Sequence, residues 1–219
     1  MKEFLPILNK VSLFEQIAPT DLSPMLKCLG AKAVHYPANS TILQYEQAVT
    51  AVGIVVSGTA KIIHEDLDGN RTLIGELWEG ELFAESFACV GIKNSPVCVL
   101  AESRCDVIWI DFVRIISTCN AACAFHTTLI SNMLKLIARK NIQLNSQIDV
   151  ISKRGIRAKL LAYFEHQMDH AGSRSFTIPF TRNELSDYLC VDRSALSREL
   201  CKLRDEGILT FHKNAFVLH

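Results

Sequence analysis

Ten residues near the C-terminal end, VDRSALSREL (191–200), carry two arginines and two serines in a stretch with helical spacing. On a helix turning about 100° per residue, Leu196, Leu200 and Leu203 share one side. Arg193, Ser194, Ser197 and Arg198 fall on a different arc, in the first two turns. Arginine grips guanine O6 and N7 with two parallel hydrogen bonds, and serine donates to bases or phosphates. An isolated Arg/Ser-rich helix is most simply a solvated basic face, so the neighbouring elements decide between solvation and nucleic-acid reading.

Other residues with chemical potential are scattered. The eight cysteines lie at 28, 89, 98, 105, 119, 123, 190 and 201, and none forms a C-x-x-C pair. Cys119 and Cys123 share a helix face, but the spacing favours packing over metal binding, and no metal is expected. His35 and His64 are lone histidines in a strand-rich region and are expected to be structural or exposed. There is no G-x-S-x-G elbow, H-E-x-x-H helix or Walker loop, so an enzyme is not expected. Apolar residues make up 49% of the chain and charged residues 21%, which places it among globular proteins with packed cores. Residues 1–150 hold 12 Lys/Arg against 15 Asp/Glu, whereas 151–219 hold 11 against 8. The basic end points to an anionic partner there. No apolar run reaches the roughly 18 residues that span a bilayer, and no signal pattern opens the chain. A cytoplasmic protein without a membrane partner is expected.

The elements around the opening stretch favour a reading surface. Thr181 can cap a helix, and Glu184 completes a capping box. CVD (190–192) makes a tight turn in which Asp192 caps the Arg/Ser helix, and Gly207 closes it. ILTF and AFVL around HKN form a small hairpin, the wing of a winged helix-turn-helix. Upstream, IRAKLLAYFEHQM is an amphipathic helix followed by the polar turn DHAGSRS (169–175). From Phe112 to Gln147 the period is helical. Thr127, Ile130, Leu134, Ile137, Asn141, Leu144, Ile148 and Ile151 step by three and four, a heptad seam, while Leu129, Met133 and Leu136 add a second apolar stripe. The seam meets a partner helix in a homodimer, with Asn141 setting register, or else the helix packs wholly within its own domain. Between Ala31 and Asp111, short β-branched runs with turn residues, including the hairpin signal EDLDGNR, read as a β-barrel or jelly roll. The first 30 residues read as short helices broken at Pro19, with Asp21 as a cap. The expected class is α+β: 1–111 a β-barrel or jelly roll with N-terminal helices, which the resemblance below makes an effector-sensing β-roll, 112–150 a long dimerisation helix, and 151–219 a winged helix-turn-helix.

The chain resembles the Crp/Fnr superfamily of bacterial transcription regulators over nearly its whole length, most specifically in TRNELSDYLCVDRSALSRELCKLRDEGIL (181–209). The resemblance implies a cyclic-nucleotide-binding-type β-roll, a dimerisation helix and a DNA-binding end that meets double-stranded operator DNA. It implies that Thr181 and Arg182 approach phosphates and that Arg193, Ser197 and Arg198 approach DNA. Well-studied members carry Glu where this chain has Ser194, and Glu accepts from cytosine N4, so a different half-site is expected. Nucleotide-binding members hold the cyclic phosphate with G-E-[LM]…R-[ST]-A. Here Ala84-Glu85 replaces Gly-Glu, and Asn94-Ser95-Pro96 stands where the arginine belongs. Loss of that bidentate partner argues against cyclic AMP. A pocket lined by Phe83, Glu85, Ser86, Ser95, Pro96 and Val97 is expected to hold an unidentified small-molecule effector, or thiol oxidation at Cys89, Cys98 or Cys105 carries the signal. The turn 169–175 lies where relatives touch RNA polymerase. The alternative is a ligand-binding regulatory protein that acts without DNA.

Overall fold

The computed structural model describes residues 2–66, 71–117 and 125–219, which divide into two compact units, 1–138 and 139–219.

The N-terminal unit opens with short helices, α1 (Leu5–Leu8) and α2 (Pro19–Cys28). Pro19 takes the first position of α2 after an extended Ala18, because its fixed φ suits a first turn that needs no N–H donor. Asp21 therefore sits inside the first turn rather than at the cap, which corrects its expected role. Two four-stranded antiparallel sheets follow. One has the order β1 (Lys32–Tyr36), β8 (Cys105–Asp111), β3 (Ala51–Ser57), β6 (Leu82–Phe83). The other has the order β2 (Thr41–Leu43), β7 (Cys98–Ala101), β4 (Ala60–Glu65), β5 (Arg71–Leu77). Glu65 faces Arg71 across β4 and β5. The intervening Asp-Gly turn lies outside the described residues. One apolar cluster joins both sheets to α2 and to Leu129, Met133 and Leu136 of the long helix. Gly53 is required on β3, since a Cβ there would come within 2.2 Å of the Phe83 ring. Helix α3 (Glu85–Val90) begins after Ala84, whose φ is +62°.

The helical period expected to run unbroken from Phe112 is interrupted. Asp111 caps a separate short helix, α4 (Phe112–Ile116), accepting from the Val113 amide at 2.9 Å, and the backbone turns extended at Ser117. The long helix α5 is Phe125–Ser152. Cys119 and Cys123 lie outside the described residues.

The C-terminal unit comprises the end of α5, then α6 (Ile156–Ala171), β9 (Ser175–Thr177), α7 (Arg182–Tyr188), α8 (Arg193–Asp205), β10 (Leu209–His212) and β11 (Ala215–Leu218). Its strands form one sheet in the order β10-β11-β9. Helix α6 continues three residues past Met168, because nothing breaks it before Gly172 takes a left-handed φ of +60°. The polar turn is thus shorter than 169–175. Phe164, Phe216, Leu185, Leu196, Leu200 and Leu203 fill the core.

Candidate nucleic-acid interface

Local bonds fix the ends of α7 and α8. Thr181 Oγ1 accepts from the Glu184 amide at 3.3 Å, and Glu184 Oε2 accepts from the Thr181 amide at 2.7 Å. This reciprocal box holds the Glu184 carboxyl below the usual carboxylate range. At the other end of α7 the Leu189 carbonyl accepts from Lys159 Nζ at 2.8 Å, a cation at a helix C-terminus that the sequence pattern did not single out. Cys190 turns the chain at φ +52°. Asp192 then caps α8, its Oδ1 accepting from Ser194 Oγ at 2.6 Å and from the Ala195 amide at 2.9 Å. Those bonds, Ser194's first, lower the Asp192 carboxyl pKa, and the Arg198 charge adds to the effect. The opposite end of α8 is tied to α6 by Arg157, which donates to Glu206 and lies 3.6 Å from Glu199.

Helix α8 buries Leu196, Leu200 and Leu203 and turns a cationic face outward. Arg193 and Arg198 are exposed, and among the described residues neither forms an ion pair, whereas Lys202 lies 3.7 Å from Glu199 and Arg204 binds Asp205. Ser197 is half-buried beside them. Two of the expected contacts are placed differently. Ser194 is exposed, but its hydroxyl proton is committed to Asp192, which makes it part of the cap. The Arg182 guanidinium turns onto the wing, bonding the Lys213 carbonyl and lying over Phe211 and Phe216. Thr181 remains exposed at the start of α7.

The six residues expected to line an effector pocket do not share one environment. Phe83 is buried edge-on against Trp109, with ring centroids 5.1 Å apart. Glu85 is buried and Ser86 exposed. Ser95 is buried in a loop, its hydroxyl donating to the Val97 carbonyl at 2.8 Å and its carbonyl accepting from the Glu46 amide. Pro96 and Val97 are half-buried. Two hollows in this unit have other linings: one of about 220 Å³ includes Tyr36, Leu43, Val49 and Trp109, and one of about 440 Å³ includes His35, Pro37 and Arg104. His35 bonds Asp106. Burial raises the Cys98 thiol pKa and pushes that of Cys105 up to about 11, so neither is primed as a thiolate. Cys89 is exposed.

On α5, Leu134, Leu144 and Ile148 are exposed, as is Ile142 just off the seam. Ile130 is half-buried, and Ile137 packs against the N-terminal core. Asn141 is exposed and accepts from Asn145 Nδ2 at 2.9 Å. Asn132, on the inner face, donates to the Leu13 and Glu15 carbonyls at 3.1 and 2.7 Å. Among the described residues no helix is long and apolar enough to cross a membrane.

Comparison with known proteins agrees with this two-part geometry. Residues 33–120 match the cyclic nucleotide-binding domain model, and residues 158–219 match the Crp-like helix-turn-helix domain. The chain is 25% identical to the cAMP-activated global transcriptional regulator Vfr of Pseudomonas aeruginosa, covering 85% of this chain and 91% of that protein. It is 22% identical to the cAMP-activated global transcriptional regulator CRP of Haemophilus influenzae, covering 84% and 82%. Among solved structures, the Thermus thermophilus catabolite activator protein superposes with a TM-score of 0.56 at 20% identity, covering 95% of this chain and 93% of that one. With a cyclic-nucleotide-type sensor fold followed by a capped, arginine-faced helix-turn-helix, the chain belongs to the Crp/Fnr family of DNA-binding transcription regulators.

Proposed function

We propose that the protein is a homodimeric regulator that binds two operator half-sites, each entered by one copy of α8. The observation that carries this reading is the exposed pair Arg193 and Arg198, cations without an ion pair among the described residues on a helix fixed by its cap. Arg193, Arg198 and Ser197 contact base edges and adjacent phosphates, Thr181 contacts a phosphate, and the wing side chain Lys213 adds a sequence-independent contact. The exposed α5 side chains Leu134, Leu144 and Ile148 support dimerisation through the seam, with Ile130, Ile137 and Asn141 along it. The protein works in the cytoplasm, where the operator is, and the surface around 169–175 meets RNA polymerase.

The Haemophilus and Pseudomonas relatives are named as cAMP-activated. For this chain a different small-molecule effector is proposed. The loop that replaces the phosphate-binding arginine offers a serine already bonded within its own turn. The effector acts by binding one of two dimer conformations more tightly, so DNA and effector strengthen each other's binding.

The test is selection of operator DNA from a random duplex pool, followed by binding measurements across salt concentrations. Salt-sensitive, sequence-selective binding is expected. Arg198→Ala should erase discrimination between operator and random DNA, whereas Lys213→Ala should weaken both equally. Failure to bind duplex DNA at any salt, with or without cell extract as an effector source, would refute the reading.

A further inference from the structure

The hairpin between β10 and β11 turns on two residues, Lys213 and Asn214. Lys213 has φ +53°, a left-handed conformation that Gly, Asn or Asp adopts more readily than Lys. Bonds from outside the hairpin hold both turn carbonyls. The Ile178 amide donates to the Asn214 carbonyl at 2.9 Å, and Arg182 Nη2 donates to the Lys213 carbonyl at 2.7 Å. The guanidinium Cζ lies 5.1 Å from the Phe216 ring centre and 5.2 Å from that of Phe211. Arg204 approaches Phe211 at 6.0 Å. Arg182 Nη1 is buried and has no hydrogen-bond partner among the described residues, and burial lowers the guanidinium pKa. The guanidinium therefore lies against the wing, with one of its nitrogens buried there.

We infer that Arg182 is a positioning residue for the wing: it holds the strained Lys213 turn so that the Lys213 side chain meets the DNA backbone, and it makes no phosphate contact of its own. The inference rests on the DNA-binding reading for its purpose but not for its geometry. A planar guanidinium can lie over two rings and bond a carbonyl at the same time. A lysine ammonium keeps the charge but not that planar geometry. A direct phosphate contact would be largely preserved by lysine, and this difference gives the test.

Arg182→Lys and Arg182→Met are compared in the full chain, each alone and combined with Lys213→Ala, using a mixed-sequence duplex long enough for two major-groove contacts. If Arg182 acts through the wing, both substitutions weaken binding to a similar extent, roughly tenfold if one charge-assisted hydrogen bond's worth of order is lost. Neither should weaken binding further once Lys213 is alanine. In the absence of DNA, amide exchange at residues 212–215 should speed up in both variants. Phe211→Leu fills similar space without a ring and should show the same faster exchange, which keeps the test decisive if Arg182→Met does not fold. Wild-type affinity in Arg182→Lys would overturn the inference, as would additive losses with Lys213→Ala or unchanged wing exchange. A wild-type protein that binds no duplex would refute the DNA reading alone and leave the exchange measurement to decide the role of Arg182.

Discussion

If α5 carries the proposed dimer seam, replacing Leu144 and Ile148 with glutamine should turn the dimer into a monomer without unfolding either unit. In the single chain these side chains are 57% and 58% exposed, and Leu134 is 64% exposed. Full burial of a Leu or Ile side chain is worth about 1.5–3 kcal/mol, so covering the exposed part of each contributes about 1–2 kcal/mol. A two-fold interface uses every seam residue twice, so the double substitution removes four such contributions, about 4–8 kcal/mol. That corresponds to a dimer dissociation constant raised by roughly three to six powers of ten. Glutamine is a good helix former, and these positions are already wet in the monomer, so its melting temperature should not fall. Sedimentation equilibrium over a wide concentration range measures the association directly. A variant that stays dimeric at the wild-type concentration, or one whose two units unfold, would refute assignment of these residues to an intermolecular seam.

Ala84→Gly should stabilise the N-terminal unit. Relief of a left-handed alanine, worth about 1–2 kcal/mol, outweighs glycine's extra unfolded-state entropy of about 0.5–1 kcal/mol, and differential scanning calorimetry should show a transition raised by a few degrees. Acid should loosen the helix-turn-helix. Glu184 and Asp192 have folded pKa values below their unfolded ones, so their contribution is complete above the unfolded value of about 4 and is lost as pH falls through the folded values. Faster amide exchange at residues 182–196 below that pH, beyond the intrinsic change, is the expected result, and acid-independent protection would contradict it. Brief alkylation at neutral pH, read by peptide mass spectrometry, should label the exposed Cys89, Cys190 and Cys201 well before Cys105, whose thiol is buried with a pKa near 11.

The parts of this fold that are legible in sequence depend on short-range rules. The Thr181–Glu184 box, the Asp192 cap and the Gly207 stop each depend on residues within a few positions of one another, and each forms as its spacing implies. The inner stripe Leu129, Met133 and Leu136 is legible because helical period alone selects the face that packs. The extended backbone at Ser117 and the Pro19 start of α2 are local too, but they oppose a hydrophobic period that is blind to them.

Contacts between distant elements decide the remaining cases. Motif position groups Arg182 with Thr181 as a phosphate contact, yet the residue that fixes its direction, Lys213, is 31 positions away on the wing. Ser194 illustrates the same point at short range. Its place on the outward arc of α8 suggests a base-reading hydroxyl, but Asp192 two residues earlier accepts that proton while capping the helix. A helix wheel gives direction and not prior commitment. Once commitments are counted, the long donors left to α8's first two turns are Arg193 and Arg198, and both can take guanine with two hydrogen bonds. The discrimination proposed for this surface therefore rests on those two arginines, with Ser194 contributing through the stability of the helix end that carries them.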